Sequence, residues 1–268
     1  MKKLLKEQYE RLKASHLGSH ADEVPAGYRS NFVSYGGAAE IQHIVGEMVP
    51  PTARRVLVIG VFGGRDYFYL KIRGTHELHA VDLAQIEGFD NLQVANVEDP
   101  LPFPDQYFDA IVMNEVVEHL VEDGKALKNV ARVLKDDGVF VISVPFLHEA
   151  EPTHIRVHTR ASVERLLTHC GFKPERIIER PGAGFFLPAV NWVNHALSAA
   201  LFMSNGRTVY SKTLPLLSRF EAWAGTKPNP LRRFSGRWGA YFLCRKLPRS
   251  ADYVEENRER FCKPSAAT

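Results

Sequence analysis

Short apolar runs of strand length alternate with segments of helical period along most of this chain, and that alternation limits its fold more than any other feature. Strand signals fall at 55–60, 77–83, 92–96, 109–113, 139–144, 176–179 and 240–245, and helical patterns at 65–72, 124–134 and 160–170 separate most of them. Strands joined through helices pair in parallel, and the helices then cover both faces of the sheet. The expected fold is α/β: a Rossmann-like, mainly parallel seven-stranded sheet with helices on both faces. Two further helices are expected at 3–16 and 38–48, the second ended by Pro50-Pro51.

The first strand runs from Val56 to Ile59 into Gly60-Val61-Phe62-Gly63-Gly64. Glycines at this point let the backbone approach a ligand and turn into a helix whose first N–H groups face the site. The second strand ends in Val81-Asp82-Leu83. A carboxylate there offers two oxygens to the two hydroxyls of a ribose. NAD-binding domains use the same device, and a helix N-cap is the plain structural alternative, so Asp82 alone names no cofactor.

The stretch 96–120, NVEDPLPFPDQYFDAIVMNEVVEHL, passes through a Pro-rich link into the apolar run Phe108–Met113. Beyond that run stand Asn114, Glu115, Glu118 and His119, where open α/β sheets place their ligands. The segment resembles the acidic-x-LPFP-x-x-x-FD-apolar-EVxEHL signature of the type-11 group of class I S-adenosylmethionine (SAM) dependent methyltransferases. The similarity covers about 55 to 172 and returns with the closing strand near Ala240. It implies a seventh strand inserted antiparallel at the edge of the sheet, and SAM as cofactor. The contacts it implies are Gly60, Val61, Phe62, Gly63, Gly64, Asp82, Leu83, Asn96, Val97, Asn114 and Glu115. Asn96 and Val97 would meet the adenine, and Asn114 with its neighbours the methionine end. Type-11 enzymes usually carry an acidic residue at the position of Val58, which holds the methionine ammonium, and a glycine at that of Phe62; both are absent here.

Methyl transfer from a sulfonium is an in-line displacement, so the protein mainly positions the nucleophile and excludes water. A hydroxyl acceptor gains from a base or a metal. The candidate catalytic groups are His119 and His154, with His158 in the same link. Glu115, Glu118 and His119 stand at i, i+3 and i+4 of an expected helix start, hence on one face, and His154 can reach the same pocket. Together they resemble the divalent-metal site of the small-RNA 2′-O-methyltransferases and the ubiquinone-pathway O-methyltransferases. Two carboxylates and two imidazoles suit Mn²⁺, Fe²⁺ or Zn²⁺ better than Mg²⁺. Helix capping and pocket shape are the alternative roles of the same residues.

The chain divides into an N-terminal helical lid (1–50), a SAM-binding core (51–181), an insertion (182–238) and a last strand with tail (239–268). The insertion carries seven cations against the single carboxylate Glu221, a local +6 in a chain of net charge +3. With Trp192, Tyr210, Trp223, Arg232, Arg233 and Trp238 it suits an anionic acceptor with stacking faces. Extra packing or an oligomer interface is its other reading, and the apolar stretch 187–203 leaves peripheral membrane contact open. Three scattered cysteines and an N-terminus without the apolar core of a signal peptide make the cytoplasm the expected location. The leading expectation is O-methylation of a small or carrier-linked acceptor, such as a sugar or a natural-product intermediate. The alternatives are an RNA methyltransferase and a catalytically inactive scaffold with the same fold; DNA is not an expected partner.

Overall fold

Alternate residues of each central strand bury into opposite faces of one sheet, and this period of two sets the layers of the computed structural model. Leu57, Ile59, Ile111, Met113, Phe140 and Ile142 enter one core. Val56, Val58, Ala110, Val112, Val139 and Val141 enter the other. With both faces apolar, helices must cover both. The structure describes residues 24–28, 44–46, 48–75, 77–146, 152–181 and 237–247.

The elements follow in the order β1 (Arg55–Ile59), α1 (Arg65–Ile72), β2 (Glu77–Asp82), β3 (Leu92–Val94), β4 (Phe108–Asn114), α2 (Asp123–Val133), β5 (Leu134–Pro145), α3 (Arg160–His169), β6 (Phe172–Pro181) and β7 (Arg237–Lys246). The α2 residues Ala126, Leu127, Val130 and Val133, with Val163 and Leu167 of α3, pack on the first face. Tyr67, Phe68 and Leu70 of α1 pack on the second with Ile44, Val45 and Met48. Helix α3 starts at a capping box: Thr159 N donates to Ser162 Oγ at 2.9 Å, and Ser162 N donates to Thr159 Oγ1 at 3.2 Å.

The seven strands lie in the order β3-β2-β1-β4-β5-β7-β6. All neighbours from β3 to β5 are parallel, and β7 runs antiparallel to both β5 and β6. The chain leaves β1 on one side for β2 and β3, then returns to the other side for β4. That reversal makes a switch point at the carboxyl ends of β1 and β4.

Two sequence signals prove structural. The Asp109 carboxylate, on β4, accepts Arg54 N at 3.0 Å and Arg55 N at 2.8 Å and pairs with Lys135, tying β4 to the start of β1 and to β5. The LPFP link is pinned by the Arg132 guanidinium, which donates to the carbonyls of Leu101 and Phe103 and to Asp105.

Three expectations are corrected. The antiparallel seventh strand is not the edge; it lies one strand in, between β5 and β6, where it is hydrogen-bonded on both sides. The last strand starts at Arg237, inside the range assigned to the insertion. The helix expected at 115–119 is a single 3₁₀ turn over Val117–His119. The expected helix at 3–16 and the insertion from 182 to 236 lie outside the described residues.

Candidate cofactor site

A cavity of about 790 Å³ opens at the switch point, within the size range of small-molecule and cofactor sites. Its floor is the turn after β1. Gly60 adopts φ 76° and Gly64 φ 67°, the left-handed region that glycine reaches without strain. A Cβ at Gly60 would lie 2.4 Å from Val116 Cγ2, and one at Gly64 would lie 2.6 Å from Tyr28 Cδ1. Both glycines are therefore fixed by close approach as well as by backbone angle.

Asp82 closes the side of the turn. Its Oδ2 accepts Val61 N and its Oδ1 accepts Leu83 N, each at 2.8 Å. Each oxygen keeps a further lone pair, so the carboxylate is oriented without being used up. Asn96 makes an Asx turn, its Oδ1 accepting Glu98 N at 3.0 Å, and Val97 is buried at the cavity wall. Across the cavity Asn114 Nδ2 donates to Asp66 Oδ2 at 3.0 Å. Asn114 Oδ1 is buried with no hydrogen-bond partner among the described residues. Burial of an amide oxygen without a partner is unfavourable and marks a place where a donor is wanted.

All eleven predicted cofactor contacts line this one cavity, as does His119. His154 stands behind the wall, its ring centroid 4.8 Å from that of His119. Glu115 adopts φ 54° and its carboxylate accepts Ser143 Oγ at 2.9 Å. Glu118 turns inward instead, with 1% exposure and neither carboxylate oxygen hydrogen-bonded among the described residues. Burial pushes its pKa up to about 8, and the charge of Glu115 adds to the rise. His158, beside this group, is buried and its pKa lowered by that burial.

The two departures from the type-11 pattern have separate explanations. Val58 is 1% exposed and its side chain belongs to the core, so an apolar residue suits that position. Phe62 is 85% exposed at the cavity mouth and does not plug it. A pocket carboxylate that the sequence reading missed, Asp66, comes from the first turn of α1. Its signal was weak, because an acidic residue in a first helical turn is common for the helix dipole alone. Ser143, Thr153 and Tyr241, also missed, come from β5, the link after it and β7.

A doubly wound sheet with a glycine turn and a strand-end carboxylate at its switch point defines a cofactor-binding α/β domain. Residues 57–142 match the family described as Methyltransferase domain, and the fold is that of solved SAM-dependent methyltransferases. The Uncharacterized methyltransferase YcgJ of Bacillus subtilis (strain 168) is 39% identical over 64 residues, which are 24% of this chain and 25% of that protein. The match thus spans about a quarter of the length of that relative. A SAM dependent methyltransferase from Archaeoglobus fulgidus has a TM-score of 0.54 at 19% identity, over 78% of this chain and 92% of that one. The 1,6-didemethyltoxoflavin-N1-methyltransferase of Burkholderia thailandensis, with S-adenosylhomocysteine bound, has a TM-score of 0.50 at 17% identity, over 91% and 90%. These two likenesses are of fold. Among the described residues no helix is long and apolar enough to cross a membrane.

Proposed function

We propose that this chain transfers a methyl group from SAM to an oxygen of a small or carrier-linked acceptor with anionic character, such as a sugar or a natural-product intermediate. The observation that carries the cofactor half is Asp82, held by two backbone N–H groups at the cavity with lone pairs left for a ribose diol. At the far end of the cavity Asp66 and the unpartnered Asn114 Oδ1 together suit an ammonium group, which has three donors and no acceptor. Those two ends fit the ribose and the amino-acid moiety of one SAM molecule.

The imidazole of His119 on the cavity wall favours an acceptor that must lose a proton, hence a hydroxyl. The six cations between 182 and 236 favour an anionic group on the same molecule. Cofactor binding is to be tested by calorimetric titration of the purified chain with S-adenosylhomocysteine. One saturable site, lost in Asp82→Ala, is the expected result. No binding at millimolar ligand would remove the enzyme reading for the free chain.

A further inference from the structure

The two cofactor ends assigned above fix the direction in which the base must extend. Asp82 ends β2, Asn114 ends β4, and Asp66 lies in the first turn of α1. In the strand order β3-β2-β1-β4, a base on a ribose at Asp82 points away from Asn114 and toward β3. The loop after β3 stands there, and its Asn96 and Val97 line the cavity. Ala95 N donates to Asp82 O at 2.9 Å, which sets this loop beside the ribose position.

The loop is held mainly from α2. Within it, Asn96 O accepts Asp99 N and Asn96 Oδ1 accepts Glu98 N, both at 3.0 Å. Asn129 Nδ2 then donates to Val97 O at 2.9 Å and to Asp99 O at 2.6 Å, one amide hydrogen for each carbonyl. Glu98 Oε1 accepts Glu122 N at 2.6 Å, at the start of the same helix. Arg132, three residues beyond Asn129, clamps the far half of the link at Leu101, Phe103 and Asp105. The half that lines the cavity therefore belongs to Asn129, which is not itself part of the lining.

None of these bonds uses the Val97 N–H, and Asn96 Oδ1 keeps a second lone pair. An acceptor beside a donor matches the 6-amino group and the adjacent ring nitrogen of adenine. Hypoxanthine presents a carbonyl and an N–H at the same places, so it reverses both partners. A loose loop could follow that reversal by turning over the Asn96 amide, which carries an acceptor on one side and two donors on the other. Here Oδ1 is committed to Glu98 N and the Val97 carbonyl to Asn129, so neither group is free to reverse.

We propose that Asn129 is a positioning residue for the base: from α2 it fixes the turn 96–99 so that the turn selects adenine. The inference rests on the SAM reading above. Its test is calorimetric titration of the full chain with S-adenosylhomocysteine and with S-inosylhomocysteine, the hypoxanthine counterpart. The unaltered chain should prefer the first by at least about 100-fold, because the second leaves the site's polar groups unpaired. Asn129→Asp keeps the size and sets a carboxylate against two carbonyl oxygens. It should weaken S-adenosylhomocysteine about 10-fold or more and cut the preference to under about 10-fold. Asn129→Ala should do the same without the added charge, and serves if the aspartate prevents folding. Arg132→Ala should lower the urea midpoint and keep the preference, which separates positioning of the base from general support of the link. A full preference retained in both Asn129 variants overturns the proposal, and so does an equal loss in Arg132→Ala. Equal affinity of the unaltered chain for the two ligands also overturns it and leaves the cofactor reading in place. Binding of neither ligand by the unaltered chain removes the cofactor reading and this inference with it.

Discussion

Replacing Gly60 by alanine should destabilise the fold by about 2–5 kcal/mol, from two contributions that can be measured apart. The backbone there has φ 76°, where a Cβ costs about 1–2 kcal/mol. The added methyl would also lie 2.4 Å from Val116 Cγ2, more than an ångström inside ordinary carbon contact. Overpacking of that kind costs about 1–3 kcal/mol. Val116 packs against the core and directly precedes the turn that carries Glu118 and His119, so it cannot retreat without moving that turn. The assay is urea denaturation of the unaltered chain, Gly60→Ala, Val116→Ala and the double variant. Truncating Val116 should relieve the clash but not the backbone cost. The pair should therefore couple favourably by about 1–3 kcal/mol, and the double variant should remain about 1–2 kcal/mol below Val116→Ala. A Gly60→Ala chain within about 0.5 kcal/mol of the original, or a pair with no coupling, would refute the claim that β1 and the turn after β4 interlock.

On the proposed reading Asp66→Asn should weaken S-adenosylhomocysteine binding about 10-fold or more, as expected for loss of a charged hydrogen bond, and leave 5′-methylthioadenosine, which has no amino-acid moiety, unchanged. Equal losses for both ligands would show that Asp66 shapes the pocket rather than meeting the ammonium. At the opposite end of the sheet, Glu77 is held down to about 2 by the His79 ring, Arg55 and the Tyr107 hydroxyl. Its folded pKa lies below the ordinary 4.5, so its stabilisation is full above pH 4.5 and is lost as pH falls toward 2. With a side chain 39% exposed the effect is that of a surface cluster, about 1 kcal/mol or less. Glu77→Gln should lower the urea midpoint at pH 7 and match the unaltered chain near pH 2; an equal difference at both would refute the assignment.

The central fold was legible because its signals were redundant. Each of β1, β2, β4 and β5 carried an apolar run of strand length, and α2 carried a period that the sheet reproduces as a single buried stripe of Ala126, Leu127, Val130 and Val133. The position of β7 was not legible in the same way. Its residues 239–246 show burial on both faces but not which neighbours they pair with, and edge and next-to-edge placements leave the same pattern. The signature residues also mixed two kinds of constraint. Asp82 and Gly60 face the cavity, whereas Asp109 and the LPFP link serve strand anchoring and the Arg132 clamp. Only the backbone N–H groups that Asp109 accepts separate the two kinds, and no sequence pattern lists those.

The segment Asn114–His119 shows where spacing alone misleads. Its Glu115, Glu118 and His119 have helical intervals, yet the chain there is still finishing a strand, with Glu115 N donating to Ser143 O at 3.0 Å as β4 ends beside β5. Val116 then sits against Gly60, and the backbone must turn within one residue, which it does by putting Glu115 at φ 54°. A non-glycine residue keeps that angle only where its surroundings over-determine it. Here its N–H and its carboxylate are both tied to Ser143, and the next side chain fills the space above Gly60. The turn separates residues that a helix would have aligned: Glu115 goes to β5, while Glu118 goes inward to His119 and His154. One strained residue thus converts an apparent four-group face into a three-group cluster at the cavity rim. The same contact between Val116 and Gly60 also fixes the floor of the cofactor cavity, so the side-chain cluster and the cavity are built on one turn.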